Sequence, residues 1–470
     1  MTNPTDEQYD VIVIGAGAVG ENVADRTTQG GLKTLIVESE LVGGECSYWA
    51  CMPSKALLRS GIALRAAQNV AGSAEAVTGR LDVAATLARR DSFTHDWDDS
   101  SQVDWLDGAG IDLVRGHAVI TGEREVTVGD RVFTARYAVV VSTGSAATLP
   151  PIPGLADVNP WTSHDATSAK TIPASLAILG GGVVAAEIAT AYASFGCAVT
   201  MIVRGEVLDT QEPFAGELVT EALTKLGAVV KTHVGLESAA RASGSVVLTL
   251  SDGSTVTADE ILVATGRQAR TADLGLDNIG LTPGDWLETD DTLRVTGFDW
   301  LYAAGDVNHR ALLTHQGKYQ ARAVGDVIAA RAKGAPVDDQ PWGTHVATAD
   351  HRAVPQVTFT DPEVASVGLT AAAAAKAGYT IRVVDYDLGS IAGASLQADG
   401  YSGKARMVVD EERSVVLGVT FVGQDVSEML QAATVAVVGE VPLARLWHAV
   451  PAYPTMNEIW LRLLETYGRP

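Results

Sequence analysis

The sequence predicts an α/β fold: two Rossmann-like units followed by an α+β C-terminal domain. Three observations carry this. The chain opens on an apolar run that ends in a glycine turn, "YDVIVIGAGAVGENVADRTTQGGLKTLIVE". The same phrase returns as "SLAILGGGVVAAEIATAYASFGCAVTMIVR", with Gly180 standing where Gly15 stood. From about residue 350 onward, short β-like runs ("VPQVTFT", "ARMVVD", "VVLGVTFVG") alternate with helical ones, as an α+β domain requires.

The elements follow in order. Tyr9 to Ile14 read as a buried strand, Gly15 to Gly20 as a tight turn, Ala18 to about Thr28 as a helix, and Leu32 to Glu38 as a second parallel strand. "YAVVVSTGSAATLPPIPG" is a strand followed by Gly/Pro punctuation, and it marks the first boundary. "EILVATGRQART" closes the second unit, and "WLYAAGDVNH" is a further strand ending at Gly305-Asp306. The Pro/Gly/Asp-rich passage "AKGAPVDDQPWGTHV" separates this strand from the last block. The expected division is 1–150, 151–272, 273–345 and 346–470.

Composition bounds the function. A chain of 470 residues is too long for one core, so roughly two to four domains are expected. A net charge of −23 disfavours nucleic acid and anionic membrane, which both call for a basic footprint. "MTNPTDEQYD" has neither the basic nor the apolar region of a secretory signal. The long apolar segment from Ser175 to Val203 is broken by a run of three glycines, Gly180 to Gly182, and carries Glu187, so it reads as strand–turn–helix–strand rather than a membrane span. Three cysteines in the whole chain is cytosolic usage.

The first glycine pattern, Gly15-x-Gly17-x-x-Gly20, has the strand, helix and terminal acid of a dinucleotide site. Gly15 makes the turn, Gly17 lets a pyrophosphate approach the backbone, and Gly20 lets helix and strand pack; Glu38 is placed to accept from a ribose hydroxyl. The second copy is Gly180-x-Gly182-x-x-Ala185, and the residue closing its next strand is Arg204. A guanidinium there suits a 2′-phosphate, which favours NADP(H) over NAD(H). Glu206 and Asp209 dilute that field, and Arg204 as a solvated surface side chain is the alternative.

Two of the three cysteines sit together in "GGECSYWACMPSK", Cys46 and Cys51. Five residues of α-helix rise about 7.5 Å, beyond the Cα separation of roughly 4.4–6.8 Å that a disulfide tolerates. If the two are bonded, the segment between them is a turn or a distorted first coil. A thiol at a helix N-terminus is made reactive by unpaired N–H groups. Metal binding lacks further Cys or His at ligand spacing, while a pair of inert buried thiols stays open.

These residues together resemble the FAD-dependent pyridine nucleotide–disulfide oxidoreductases, a family that includes dihydrolipoamide dehydrogenase, glutathione reductase and mercuric reductase. The resemblance spans nearly everything from Tyr9 to about Glu465. "GGECSYWACMPSK" is similar to the family's redox-active disulfide, "YAAGDV" to the strand whose Asp306 holds the flavin ribityl chain, and "VSTGS" and "VATGR" to its two domain-crossing segments. The resemblance implies an FAD domain in two parts, an NAD(P)H domain and a C-terminal dimerisation domain. It implies a cytoplasmic homodimer whose active site is shared across the interface, acting on a small-molecule electron acceptor in cell redox homeostasis. It also implies that Cys46 exchanges with substrate, Cys51 lies against the flavin, and Lys55 sits near flavin N5 and pairs with Glu187. Gly44, Ala118, Thr143, Gly144, Gly266 and His315 join the cofactor-binding set. Tyr453 and Glu458 act from the partner chain.

The C-terminal passage "LWHAVPAYPTMNEIW" departs from the family. Pro454, Thr455 and Glu458 match, but Tyr453 stands where the catalytic histidine belongs. A phenol with a pKa of about 10 stays protonated at neutral pH and donates a hydrogen bond, but it shuttles protons poorly. His448 is five residues out of register. A similar tyrosine phrase occurs in mercuric reductase, whose C-terminal cysteine pair has no counterpart in "LETYGRP". Tyr48 and Ala50 replace the usual Asn and Gly of the cysteine motif, and Val183 replaces the aromatic lid after the second glycine turn. The expected reaction is NAD(P)H-driven reduction of a small disulfide. A quinone, metal ion or other electrophile as acceptor is the first alternative, and a non-enzymatic redox-sensing flavoprotein the second.

Overall fold

The computed structural model describes residues 7–469, so the reading of the first residues as free of a signal falls largely outside them. The chain forms two compact units.

The first unit takes residues up to Pro53, then Asp91–Thr148 and Gly266–His351. Its centre is a parallel sheet in the order Asp112–Arg115, Thr34–Glu38, Glu7–Ile14, Arg131–Val141, with Leu301–Ala303 paired to the last. Ile12 lies opposite Leu35 on one side and Val139 on the other. Val11, Ile12 and Val13 are all fully buried. A parallel strand covered on both faces has no polar side to show, and so it reads as an unbroken apolar run. The Ala18–Gln29 helix packs on the Thr314–Ala332 helix through glycine notches: a Cβ on Gly317 would come within 2.5 Å of Val19, and one on Gly325 within 2.4 Å of Arg26.

The second unit takes Ser54–Arg90, Leu149–Thr265 and Arg352–Pro470. It holds a parallel sheet in the order Val229–Lys231, Ala198–Ile202, Ser175–Leu179, Glu260–Val263, and a three-stranded antiparallel sheet over residues 236–258. The stretch with the membrane-like hydropathy is the expected strand, helix and strand. No helix among the described residues is long and apolar enough to cross a membrane. The C-terminal part is a five-stranded antiparallel sheet, with the 355–358, 404–410 and 415–423 runs among its strands, backed by the Leu430–Val438 and Glu458–Tyr467 helices.

The two units divide the chain differently from the expected segments at two points. The helix Cys51–Gln68 begins in the first unit and continues into the second, because Leu57, Leu58 and Ile62 join a core with Ile188 and Tyr192. The first unit resumes at Gly266 rather than 273, since Arg267–Ala269 pairs with Ser145–Ala147. Both reasons are tertiary pairings that local composition does not record.

Candidate active site

The glycine turn of the first unit is built as its spacing predicts. Gly15 has φ 98°, and a Cβ there would come within 2.5 Å of the Ser142 carbonyl oxygen. A Cβ on Gly20 would lie 1.9 Å from the Gly15 carbonyl oxygen, so Gly20 is needed for helix–strand contact. A Cβ on Gly17 would meet nothing nearer than 3.9 Å, which leaves the backbone open to a ligand. Gly17 caps the Ala18–Gln29 helix without any side-chain hydrogen bond, so its first-turn N–H groups face outward uncapped.

Above this turn lies a cavity of about 630 Å³. Gly15, Gly17 and Gly44 line it together with Ala118, Thr143 and Gly144. Glu38 and Asp306 lie on its wall, as do Cys46 and Thr314. Glu38 is 9% exposed and accepts from the Ala16 N–H at 2.6 Å and the Glu40 N–H at 2.8 Å. Burial raises the Asp306 carboxyl above its usual range, against the opposing pull of the Ser145 hydroxyl and Arg267. His315 is exposed at the start of the Thr314–Ala332 helix; its neighbour Thr314 reaches the cavity instead.

The cysteines occupy a broken helix. A short helix Gly44–Tyr48 ends at Trp49 (φ −136°, ψ −6°), and the next helix starts at Cys51. This distortion is what a bonded pair would need, but Cys46 and Cys51 are both free thiols in this structure. The two thiols are in hydrogen-bonding contact, and Cys51 Sγ is 3.2 Å from Thr314 Oγ1. The hydrogen bond to Cys51 drives the Cys46 thiol pKa up, with burial and the negative charge on Cys51 adding to it. Thr314 and Lys318 pull the other way. Tyr48 is buried at 1% exposure, and its carbonyl accepts from Trp97 Nε1 at 3.2 Å, so the replacement of the usual Asn is packed into the fold.

In the second unit, Lys55 Nζ pairs with Glu187 Oε2 at 2.7 Å and lies 4.9 Å over the Phe359 ring. The other carboxylate oxygen of Glu187 accepts from the Phe359 N–H at 2.9 Å. Glu187, 4% exposed, is therefore fully partnered, which accounts for an acid inside an apolar run. The second glycine turn repeats the first: Gly180 has φ 131° with the Ala264 carbonyl oxygen 2.2 Å from a Cβ, while Gly182 faces open space. Arg204 is exposed, and Glu206 beside it pairs with His233 at 2.7 Å. Tyr453 is 76% exposed. Glu458 is held within its own chain by Arg462 at 2.6 Å and by the Ala392 N–H at 3.3 Å.

Sequence reasoning missed Glu45, Arg267 and Arg270, which also line the cavity. Glu45 makes ion pairs to Arg270 at 2.6 Å and Arg267 at 3.0 Å. All three stand in phrases already singled out, "GGECSYWACMPSK" and "EILVATGRQART", but only folding brings them together.

The cavity fits FAD. Its glycine floor has no room for side chains at Gly15 or Gly44, where a Cβ would lie 2.7 Å from Gly17 Cα. Ser142 Oγ and Thr143 Oγ1 on its wall are buried without a hydrogen-bond partner, as acceptors and donors awaiting a polar ligand are. Two dinucleotide turns, an FAD-sized cavity and a close thiol pair define a flavin-dependent dithiol oxidoreductase. Residues 9–334 match the family model of the pyridine nucleotide-disulphide oxidoreductases, and residues 354–463 match that family's dimerisation domain. The chain belongs to this family, whose members are FAD enzymes, and its C-terminal part matches the family's dimerisation domain. It is 30% identical to a mercuric reductase of Staphylococcus aureus over 96% of this chain and 81% of the relative. It is 32% identical to a dihydrolipoyl dehydrogenase of Thermus scotoductus over 96% of this chain and 95% of the relative. Among solved structures, the Cu(II) complex of the HOCl-induced flavoprotein disulfide reductase RclA from Escherichia coli shares the fold. Its TM-score is 0.83 at 23% identity, over 98% of this chain and 99% of that one.

Proposed function

We propose that the chain is a cytoplasmic NAD(P)H-dependent reductase in which Cys46 and Cys51 form the working disulfide and a small disulfide is the acceptor. The observation that carries this is the contact of Cys46 with Cys51, and of Cys51 with Thr314, at a cavity that fits FAD. FAD, when bound, accepts hydride from the coenzyme and supplies two electrons to the cysteine pair. Gly15, Gly17, Glu38, Thr143 and Asp306 would hold it. In the reduced pair Cys46 keeps its proton and directs it to Cys51, so the negative charge rests on Cys51 beside the Thr314 hydroxyl. To react, Cys46 passes this proton to Cys51 and attacks the acceptor's sulfur as the thiolate. The expelled acceptor thiolate takes the proton back, and Cys51 then closes the disulfide onto Cys46, releasing the second acceptor thiolate. Glu187 and the Phe359 ring hold the Lys55 ammonium in one place. Arg204, exposed at the end of its strand, serves the 2′-phosphate of NADPH.

Tyr453 favours a second reading. A phenol is a weak proton source for a departing thiolate. An acceptor with no thiol to release, such as a metal ion or a quinone, makes no such demand. Relatives named mercuric reductase and a fold neighbour solved with Cu(II) agree with this chemistry. The third cysteine, Cys197, is buried at 7% exposure, so among the described residues no thiol outside the Cys46–Cys51 pair is exposed.

Turnover with NADPH and NADH against small disulfides, quinones, Hg(II) and Cu(II) tests both readings. Under the disulfide reading Tyr453→His raises disulfide turnover at least about tenfold; under the second it leaves turnover unchanged or lowers it. Undiminished turnover in both Cys46→Ser and Cys51→Ser would overturn the path through the pair.

A further inference from the structure

The turn that carries Asp306 is fastened from behind by one side chain of the first unit. The ladder of the Leu301–Ala303 strand ends at Ala304, whose N–H donates to the Val141 carbonyl at 3.0 Å. The next N–H, that of Gly305, has left the sheet and donates to Gln320 Oε1 at 2.8 Å. The same oxygen accepts from Asn308 Nδ2 at 2.8 Å, so one carbonyl holds both ends of the Gly305–Asn308 turn. Within the turn the Asn308 N–H donates to the Gly305 carbonyl at 3.2 Å, and Asp306 stands between them on the cavity wall. Gln320 is fully buried on the Thr314–Ala332 helix, which comes so close that a Cβ on Gly317 would lie 3.3 Å from Gly305 Cα.

The orientation of that carboxamide is dictated from its other side. Gln320 Nε2 donates to Asp350 Oδ2 at 2.9 Å, and Arg310 Nε donates to the same oxygen at 3.0 Å. Gln316 Nε2 donates to Asp350 Oδ1 at 2.9 Å. Asp350 thus faces three donors. A carboxylate only accepts, so the amide nitrogen of Gln320 must point to Asp350 and its oxygen to the turn. Were the two exchanged, the Gly305 N–H and the Asn308 amide would each meet a donor in a buried site, which is costly. The turn also needs holding, because His309 just beyond it sits at φ 57°, a conformation unfavourable to a non-glycine residue. We propose that Gln320 is a positioning residue for the cofactor, fixing this turn so that the Asp306 carboxylate is in place before FAD binds. The inference rests on the reading that Asp306 holds FAD, and adds the side chain that holds Asp306.

The test is flavin release. The flavin-loaded enzyme is serially diluted, free FAD is read from the rise in flavin fluorescence, and urea unfolding of the same samples gives stability. Gln320→Leu should raise the FAD dissociation constant at least about tenfold, through the two hydrogen bonds lost at the turn. Gln316→Leu is the control, since it strips a donor from the same Asp350 on the same helix without touching the turn. It should lower stability comparably and leave FAD affinity within about twofold. Equal losses of FAD affinity in the two variants would mean that Gln320 only supports the fold around Asp350, and would overturn the proposal. Asp306→Ala separates the inference from the reading beneath it. Weakened FAD there, beside unchanged FAD in Gln320→Leu, overturns the positioning role alone; unchanged FAD in both removes the role of Asp306 as well. Should Gln320→Leu fail to fold, Gln320→Glu takes its place. Its carboxyl donates to Asp350 only while protonated, so FAD affinity should fall at least about tenfold between about pH 6 and pH 9 relative to the unmodified protein. Equal pH profiles in the two proteins overturn the proposal.

Discussion

Glu21 shows what a single residue can cost. It follows the last glycine of the first turn, is 8% exposed, and its Oε1 has no hydrogen-bond partner. Burial lifts its carboxyl from 4.5 to about 8; Glu38 adds to the rise and Lys318 opposes it. An acid whose folded pKa exceeds its unfolded one binds the extra proton in the native state. Its contribution is complete below about pH 4.5 and is lost as pH rises through about 8. The unmodified protein should therefore lose stability between these limits, by the order of a few kcal/mol. Glu21→Gln should flatten that slope and be the more stable form at pH 8, as read from urea unfolding at several pH values. An equal slope in the two proteins would show that Glu21 ionises freely. At the coenzyme side, Arg204→Glu should shift the ratio of kcat/KM toward NADH by about tenfold or more. An unchanged ratio would leave Arg204 a surface side chain.

At the scale of the element, the two glycine turns are the same device made twice. In each, the first glycine has positive φ and a carbonyl where a Cβ would stand, while the middle glycine looks onto open space. Gly15→Ala should cost on the order of 1–3 kcal/mol from backbone strain alone, and it should also lose FAD, measured as the flavin-to-protein absorbance ratio. Gly17→Ala has room for its methyl group and should fold normally; its effect should fall on FAD affinity. These roles were legible because turn, strand and helix are local, and glycine marks positions that other residues cannot take. The cysteine segment was legible in the same way. Rise per residue is enough to show that a bonded pair breaks the helix, and the break falls at Trp49.

For the whole molecule, the C-terminal part is the region that matches the family's dimerisation domain. Its Leu430–Val438 helix buries Ala433, Ala436 and Val437 but leaves Val435 57% and Val438 38% exposed, and Val450 nearby in sequence is 83% exposed. Apolar side chains left bare on a dimerisation domain are the material of an interface. Val435→Glu should yield a monomer by light scattering. If the partner chain supplies Tyr453, turnover should fall with the dimer; a fully active monomer would remove that role. The family, both nucleotide turns, the thiol pair and the Lys55–Glu187 pair could all be named from motifs. The partners of Glu458, namely Arg462 and Ala392, could not, nor could the place of Ser54–Arg90 in the second unit.

The sequence by itself determined the local chemistry: which backbone positions bend, which strands are buried on both faces, and where two sulfurs can meet. Only the tertiary structure decided which distant charges face each other. Glu45 is more than 200 residues from Arg267 and Arg270, and each looks like an ordinary surface charge until the crossing strands Ser145–Ala147 and Arg267–Ala269 pair. The physical reason is range. Helix periodicity and turn geometry act over a few residues, whereas an ion pair depends on distance in space, which the order of residues does not encode.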